Sequence, residues 1–131
     1  MKKIMIVDDD QAEREFLISY IKTFFKSLVF SGKIMPEFIE AEDGLQAWRL
    51  LTEEKIVPDL IIVDFQMPKM NGGQLIDKIQ KELNLHSEIV LHSSCFGGRA
   101  EAQKRDCKFV FKIGGEERIF DLAVGLGLFI P

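Results

Sequence analysis

Four short runs, Ile4–Val7, Leu60–Val63, Ile89–Leu91 and Phe109–Phe111, are apolar at every position and rich in β-branched or aromatic residues. They are too short for typical helices and predict strands. Unbroken apolarity, in place of alternation, implies burial on both faces, as in a parallel sheet covered by helices on each side. Glu37–Ala41 gives a weaker fifth strand, short and flanked by charge.

Helical patterns lie between these runs. From Gln11 to Leu28, spacing of three and four places Phe16, Tyr20, Ile21, Phe24 and Leu28 on one face, with Asp10 as N-cap. Leu45, Trp48 and Leu51 mark a second helix after Asp43-Gly44, and Leu75, Ile76, Ile79 and Leu83 a third. Ser94–Arg105 is a short fourth, weakened by Gly97-Gly98, and Glu117–Leu128 a fifth, interrupted by Gly125 and Gly127. The alternation is (βα)5: an α/β class with right-handed crossovers and one core.

The polar residues just beyond each run carry the chemistry. Val7 leads into Asp8-Asp9, Val63 into Asp64, Leu91-His92 into Ser93, and Phe111 into Lys112. In an open parallel sheet, ligands bind beyond the carboxyl ends of the strands. Four strands therefore deliver acids, a hydroxyl and an ammonium to one crevice. Gathered carboxylates repel one another, so a pKa rises unless a cation intervenes. Mg²⁺ suits a few carboxylates together with water and phosphate. Such a metal neutralises phosphoryl oxygens while one carboxylate attacks phosphorus.

Composition excludes several other classes. The net charge of −4 offers no basic footprint for nucleic acid. No apolar run approaches the roughly 18–20 residues needed to cross a bilayer, and Asp8-Asp9-Asp10 cuts the N-terminal apolar run too short for a signal peptide. A cytoplasmic location is expected. Cys95 and Cys107 lack metal-site spacing and are expected as free thiols.

Ile6-Val7-Asp8-Asp9, the strand Asp59–Asp64 and the following Met67-Pro68-Lys69-Met70-Asn71-Gly72 together resemble the receiver domain of two-component response regulators. The resemblance spans nearly the whole chain and extends to Ser93 as the switch hydroxyl, Phe109 as the switch aromatic and Lys112 as the site lysine. It implies a doubly wound, flavodoxin-like sheet of five parallel strands in the order 2-1-3-4-5. It also implies Asp64 as phosphoacceptor, Asp9 as a direct Mg²⁺ ligand, Asp8 as a mostly water-mediated one, and the Gln66 backbone carbonyl as another. The donor is then a sensor histidine kinase or phosphotransfer protein, and the chain catalyses only its own phosphorylation and dephosphorylation. No output domain fits in this length, so residues 1–131 are expected to form a receiver alone, acting on a downstream protein or output domain. Surplus apolar surface on the first helix, including Phe25, Val29 and Phe30, offers a contact for a partner or a homodimer.

Plainer readings apply to some of these residues. Asp10 is a helix cap, Gly72-Gly73 a turn before a helix, His86 a surface residue and His92 a packed one; Leu122–Ile130 reads as helix packing. Asp64 is different, because an acid ending a buried strand has no inexpensive structural role. Two rival functions compete. A phosphatase of the haloacid dehalogenase type would use Asp8 as nucleophile and Asp10 as acid/base, but Ala12 departs from that pattern and the segment around Asp64 is left unexplained. A degenerate receiver serving only as a protein-binding module draws support from two departures: Ile113 stands where receivers carry a proline after the lysine, and the Ser93–Phe109 stretch is about one helical turn shorter than usual. A cis bond before a non-proline residue costs roughly 2.5–4 kcal/mol, so Lys112–Ile113 is predicted to be trans.

Overall fold

A computed structural model of the protein describes residues 2–26 and 35–125. Strands and helices alternate along the chain: β1 (Lys3–Val7), α1 (Gln11–Phe25), β2 (Glu37–Ala41), α2 (Gly44–Thr52), β3 (Leu60–Asp64), α3 (Gly72–Glu82), β4 (Glu88–Ser93), α4 (Gly97–Lys104), β5 (Lys108–Phe111) and α5 (Glu116–Gly125). All strand pairs are parallel and the order is β2-β1-β3-β4-β5. The continuous apolar runs thus form the expected (βα)5 sheet, and β2 occupies the residues predicted for it.

Each run is apolar throughout because the sheet has a core on both sides. Ile4, Ile6, Leu60, Ile62, Val90 and Val110 meet Leu17, Ile21 and Phe25 of α1 and Ile119 and Ala123 of α5. The alternate residues, Met5, Val7, Ile61, Val63 and Leu91, meet α2, α3 and α4 through side chains such as Leu51, Leu75, Ile76, Ile79 and Ala102. Each fully buried Leu or Ile contributes roughly 1.5–3 kcal/mol.

The buried face of α1 differs from the one its spacing predicted. Leu17, Ile21 and Phe25 face the sheet, while Phe16 and Phe24 are 55% and 47% exposed. Two apolar ladders run side by side on this helix, displaced by one residue, and periodicity alone does not rank them. The bulkier ladder serves the seam with α5: Tyr20 and Phe24 lie 4.5 Å apart, and Phe24 lies 6.1 Å from Phe120. Leu28, Val29 and Phe30 fall outside the described residues, as does the predicted end of the fifth helix from position 126 onward.

Helix ends obey local chemistry. Asp10 caps α1 by accepting from the Ala12 and Glu13 amides, and Asn71 and Gln74 form a reciprocal capping box on α3. Helix α4 is shorter than predicted, because the Cys95 amide donates to Ser93 Oγ at 3.1 Å and holds this stretch in a turn. No side chain caps its first turn. Its far end is held by Arg105, whose guanidinium donates to both carboxylate oxygens of Asp77 on α3, at 2.8 and 3.1 Å, and to Glu101 at 2.6 Å. Both cysteines are free.

Two adjacent glycines let α3 approach its neighbours closely. A Cβ on Gly72 would lie 2.3 Å from the carbonyl oxygen of Asp64, whereas one on Gly73 would meet the Arg105 guanidinium at 2.8 Å. The first obstacle is backbone and the second is the end of a flexible side chain. Gly72→Ala is therefore expected to destabilise by about 2–3 kcal/mol and Gly73→Ala by clearly less. Urea denaturation of the two variants checks the order.

Candidate functional site

Strands β1 and β3 are neighbours, in register at Val7 and Val63, so Asp8 and Asp64 leave the sheet side by side. Both are nearly inaccessible, at 3% and 6% exposure, while Asp9 is exposed. One oxygen from each of Asp8, Asp9 and Asp64 lies within 4.8 Å of the others. Lys112, directly after β5, reaches over β4 to place Nζ 2.9 Å from Asp8 Oδ2 and 3.2 Å from Asp64 Oδ1. Arg14 on α1 donates to the main-chain carbonyl of Asp8 and pairs with Glu40 at 3.0 Å.

Electrostatics separates the roles. Burial, helped by the Asp8 charge, pushes the Asp64 carboxyl up to about 6 against the opposing pull of Lys112. For Lys112 burial favours the neutral amine, but hydrogen bonding to Asp8 and the charges of Asp64 and Asp8 outweigh it and the pKa is raised. The lysine stays charged, and one cation serves two buried acids. The donor set is all oxygen and carries excess negative charge, which fits a hard divalent cation such as Mg²⁺.

Ser93 ends β4 at 1% exposure, and its carbonyl accepts the Lys112 amide at 3.0 Å. Phe109 lies close by: a Cβ on Gly98 would sit 2.8 Å from the Phe109 ring and 3.0 Å from Ser93 Cβ. Gly98 thus lies against both side chains, and the Phe109 ring stands edge-on to Phe111 at 4.8 Å, with the Arg99 guanidinium 5.8 Å from its centroid. No peptide bond among the described residues is cis, so Lys112–Ile113 is trans; the following Gly114 turns the loop at φ +74. Gln66, two residues beyond Asp64, is exposed in the loop before α3.

Asp10 does not join the cluster. Its carboxylate caps α1 and stands outside the Asp8, Asp9 and Asp64 group, which does not favour the dehalogenase-type alternative. His92 belongs at the site although its sequence context does not single it out. It pairs in register with Asp64 and with Val110, is 7% exposed, and lies on the Asp64 face of the sheet. Burial, and then the Lys112 charge, pulls its pKa down to about 4, so the imidazole is neutral at physiological pH. The available signal is strand parity: His92 is two residues from the buried Val90 and one from Ser93 in the strand Glu88–Ser93.

This fold and cluster define a doubly wound α/β domain with an acidic, lysine-bridged site, and the comparisons give its family. The profile of the response regulator receiver domain matches residues 4–105, and the chain belongs to that family. A chemotaxis protein CheY homolog of Campylobacter jejuni is 32% identical over 99 residues, covering 76% of this chain and 68% of that protein. Chemotaxis protein CheY1 of Helicobacter pylori is 28% identical over 99 residues, covering 76% and 72%. Among solved structures, a LuxR-family DNA-binding response regulator from Staphylococcus aureus superposes with a TM-score of 0.77 at 21% identity, over 96% of this chain and 98% of that one. Chemotaxis protein CheY4 of Vibrio cholerae gives 0.70 at 20% identity, over 96% and 98%. The profile match ends before β5, so Phe109 and Lys112 stand on their geometry.

The raised Asp64 pKa has a consequence for stability. Between its ordinary value of 3.8 and about 6 the folded state keeps a proton that the unfolded chain has lost, so stability falls as pH rises through this window. Ionised Asp64 thus costs the metal-free fold up to about 3 kcal/mol above the window. Asp64→Asn is expected to be more stable than wild type in EDTA at about pH 7.5, with the gap closing toward pH 4. Urea titrations across that range check it.

Proposed function

We propose that the protein accepts a phosphoryl group on Asp64 in a Mg²⁺-dependent reaction and signals by a change in packing. The observation that carries this reading is one ammonium bridging two buried carboxylates beside a third acid. In the step, an Asp64 carboxylate oxygen forms the bond to phosphorus as the bond to the donor's leaving group breaks, that group taking the electron pair. Asp9, Asp64, the Gln66 carbonyl and, through water, Asp8 would hold the metal. When bound, Mg²⁺ supplies charge neutralisation at the phosphoryl oxygens and lowers the Asp64 pKa. Lys112 balances the charge that develops as the carboxylate becomes an acyl phosphate, and Ser93 Oγ donates to a phosphoryl oxygen.

A histidine kinase or phosphotransfer protein is the proposed donor, consistent with the family, and the cytoplasm is the proposed location. No helix among the described residues is long and apolar enough to cross a membrane. Self-catalysed phosphorylation and dephosphorylation are the only chemistry proposed. Output would pass through Ser93 and Phe109 to the face made by α4, β5 and α5, read by a downstream protein, an output domain or a second copy of the chain.

Intact-mass measurement with acetyl phosphate tests the reading. Wild type with Mg²⁺ should gain one phosphoryl group, and Asp64→Asn or wild type in EDTA none. Asp9→Ala should lose Mg²⁺ affinity and phosphorylation together; normal Mg²⁺-dependent phosphorylation in that variant would overturn the metal assignment.

Hydrogen exchange with and without beryllofluoride reads the output. Protection between Ser93 and Lys112 should change on binding. An unchanged pattern at full occupancy would favour a receiver that serves only as a binding module.

A further inference from the structure

His92 Nε2 is the one buried side-chain nitrogen or oxygen among the described residues with no hydrogen-bond partner. Buried polar groups of this kind are uncommon and carry a desolvation cost in the resting protein. An apolar side chain would fill the position without that cost, as Val90 and Val110 do on the same face. The orphan is therefore informative about what the site does when it is occupied.

Its surroundings are set by the sheet. Asp64, His92 and Val110 are successive register partners across β3, β4 and β5, so their side chains stand in a row on one face. Parallel strands lie about 4.8 Å apart. The Lys112 side chain begins beyond β5 and ends between Asp64 and Asp8. To do so it must cross the end of β4, where His92 projects. An ammonium has three N–H donors, and the ion pairs at 2.9 and 3.2 Å account for two. Lys112 is followed by Ile113, and the loop turns at Gly114.

We propose that His92 is a positioning residue for phosphoryl transfer: its imidazole supports the Lys112 side chain across β4, and Nε2 accepts the third N–H of the ammonium once Asp64 is phosphorylated. In the resting state both carboxylates hold the ammonium. Conversion of Asp64 to an acyl phosphate moves negative charge outward onto the phosphoryl oxygens, so the ammonium turns and its donors are redistributed. The hydrogen bond then formed to the ring offsets the resting cost, and His92 stabilises the occupied state selectively. The inference rests on Asp64 being the acceptor.

The test separates the two ideas. Intact mass with acetyl phosphate, on wild type and Asp64→Asn, first establishes the acceptor. Failure to modify Asp64 overturns the receiver reading and this inference together. With the acceptor established, long-range ¹H–¹⁵N spectra of the imidazole are recorded on protein with Mg²⁺, before and after adding beryllofluoride. The His92 Nε2 resonance is expected to move from an unbonded to a hydrogen-bonded position in wild type and to stay in place in Lys112→Met. Beryllofluoride affinity should weaken roughly tenfold, the worth of about one hydrogen bond to a charged group, in His92→Val. His92→Gln, which keeps an acceptor, should recover part of the loss, and the metal-free melting temperature of His92→Val should not fall. An unmoved Nε2 resonance at full occupancy, or a His92→Val protein that binds beryllofluoride like wild type, overturns the inference alone.

Discussion

Two carboxylates at the buried ends of adjacent strands cannot both be ionised without a compensating cation, and the active end of this protein is arranged around that constraint. Asp8 and Asp64 are placed by the β1–β3 register, and neither can turn into solvent. Lys112 answers both from two strands away. Its reach requires β5 to lie next to β4 and β4 to end in side chains over which a lysine can pass. The fold order and the charge balance are thus one requirement seen from two sides.

The same arrangement leaves the site short of positive charge. One ammonium against three carboxylates is a net deficit, and the rise of Asp64 toward neutrality is its direct expression. A group held in this state is poor at resting but responsive, because any added cation or any masking of a carboxylate changes its protonation and its partners. A side chain at Gly98 would meet both Ser93 and Phe109, so the first turn of α4 is packed closely at the edge of the site.

Much of this is legible in the sequence, for a physical reason. Continuous apolar runs have few ways to be buried, and the residues that end them must gather at one edge of the sheet; Asp8, Asp64, Ser93 and Lys112 can be placed before any coordinates. Helix faces are less legible. Two ladders on α1 differ by one residue, and only the shape of the sheet chooses Leu17, Ile21 and Phe25 over Phe16 and Phe24. The start of α4 eludes periodicity because the Ser93 hydroxyl competes for the Cys95 amide, a three-residue event that a helical repeat does not register. His92 is easily passed over, since a histidine among apolar neighbours reads as filler until register sets it beside Asp64.

The close seating of α3 gives the strand that bears Asp64 a close neighbour of its own. Gly72 rests on the Asp64 main chain, Gly73 lies under the guanidinium of Arg105, and Arg105 grips Asp77 while belonging to the end of α4. These contacts run in series from the strand end through the first turn of α3 and the guanidinium to α4. The Asp77–Arg105 pair is the joint between α3 and α4. Its stiffness is partly ionic, so dissolved salt softens it. The carboxyl end of β3 is accordingly joined to α4 by contacts that include neither Ser93 nor Phe109.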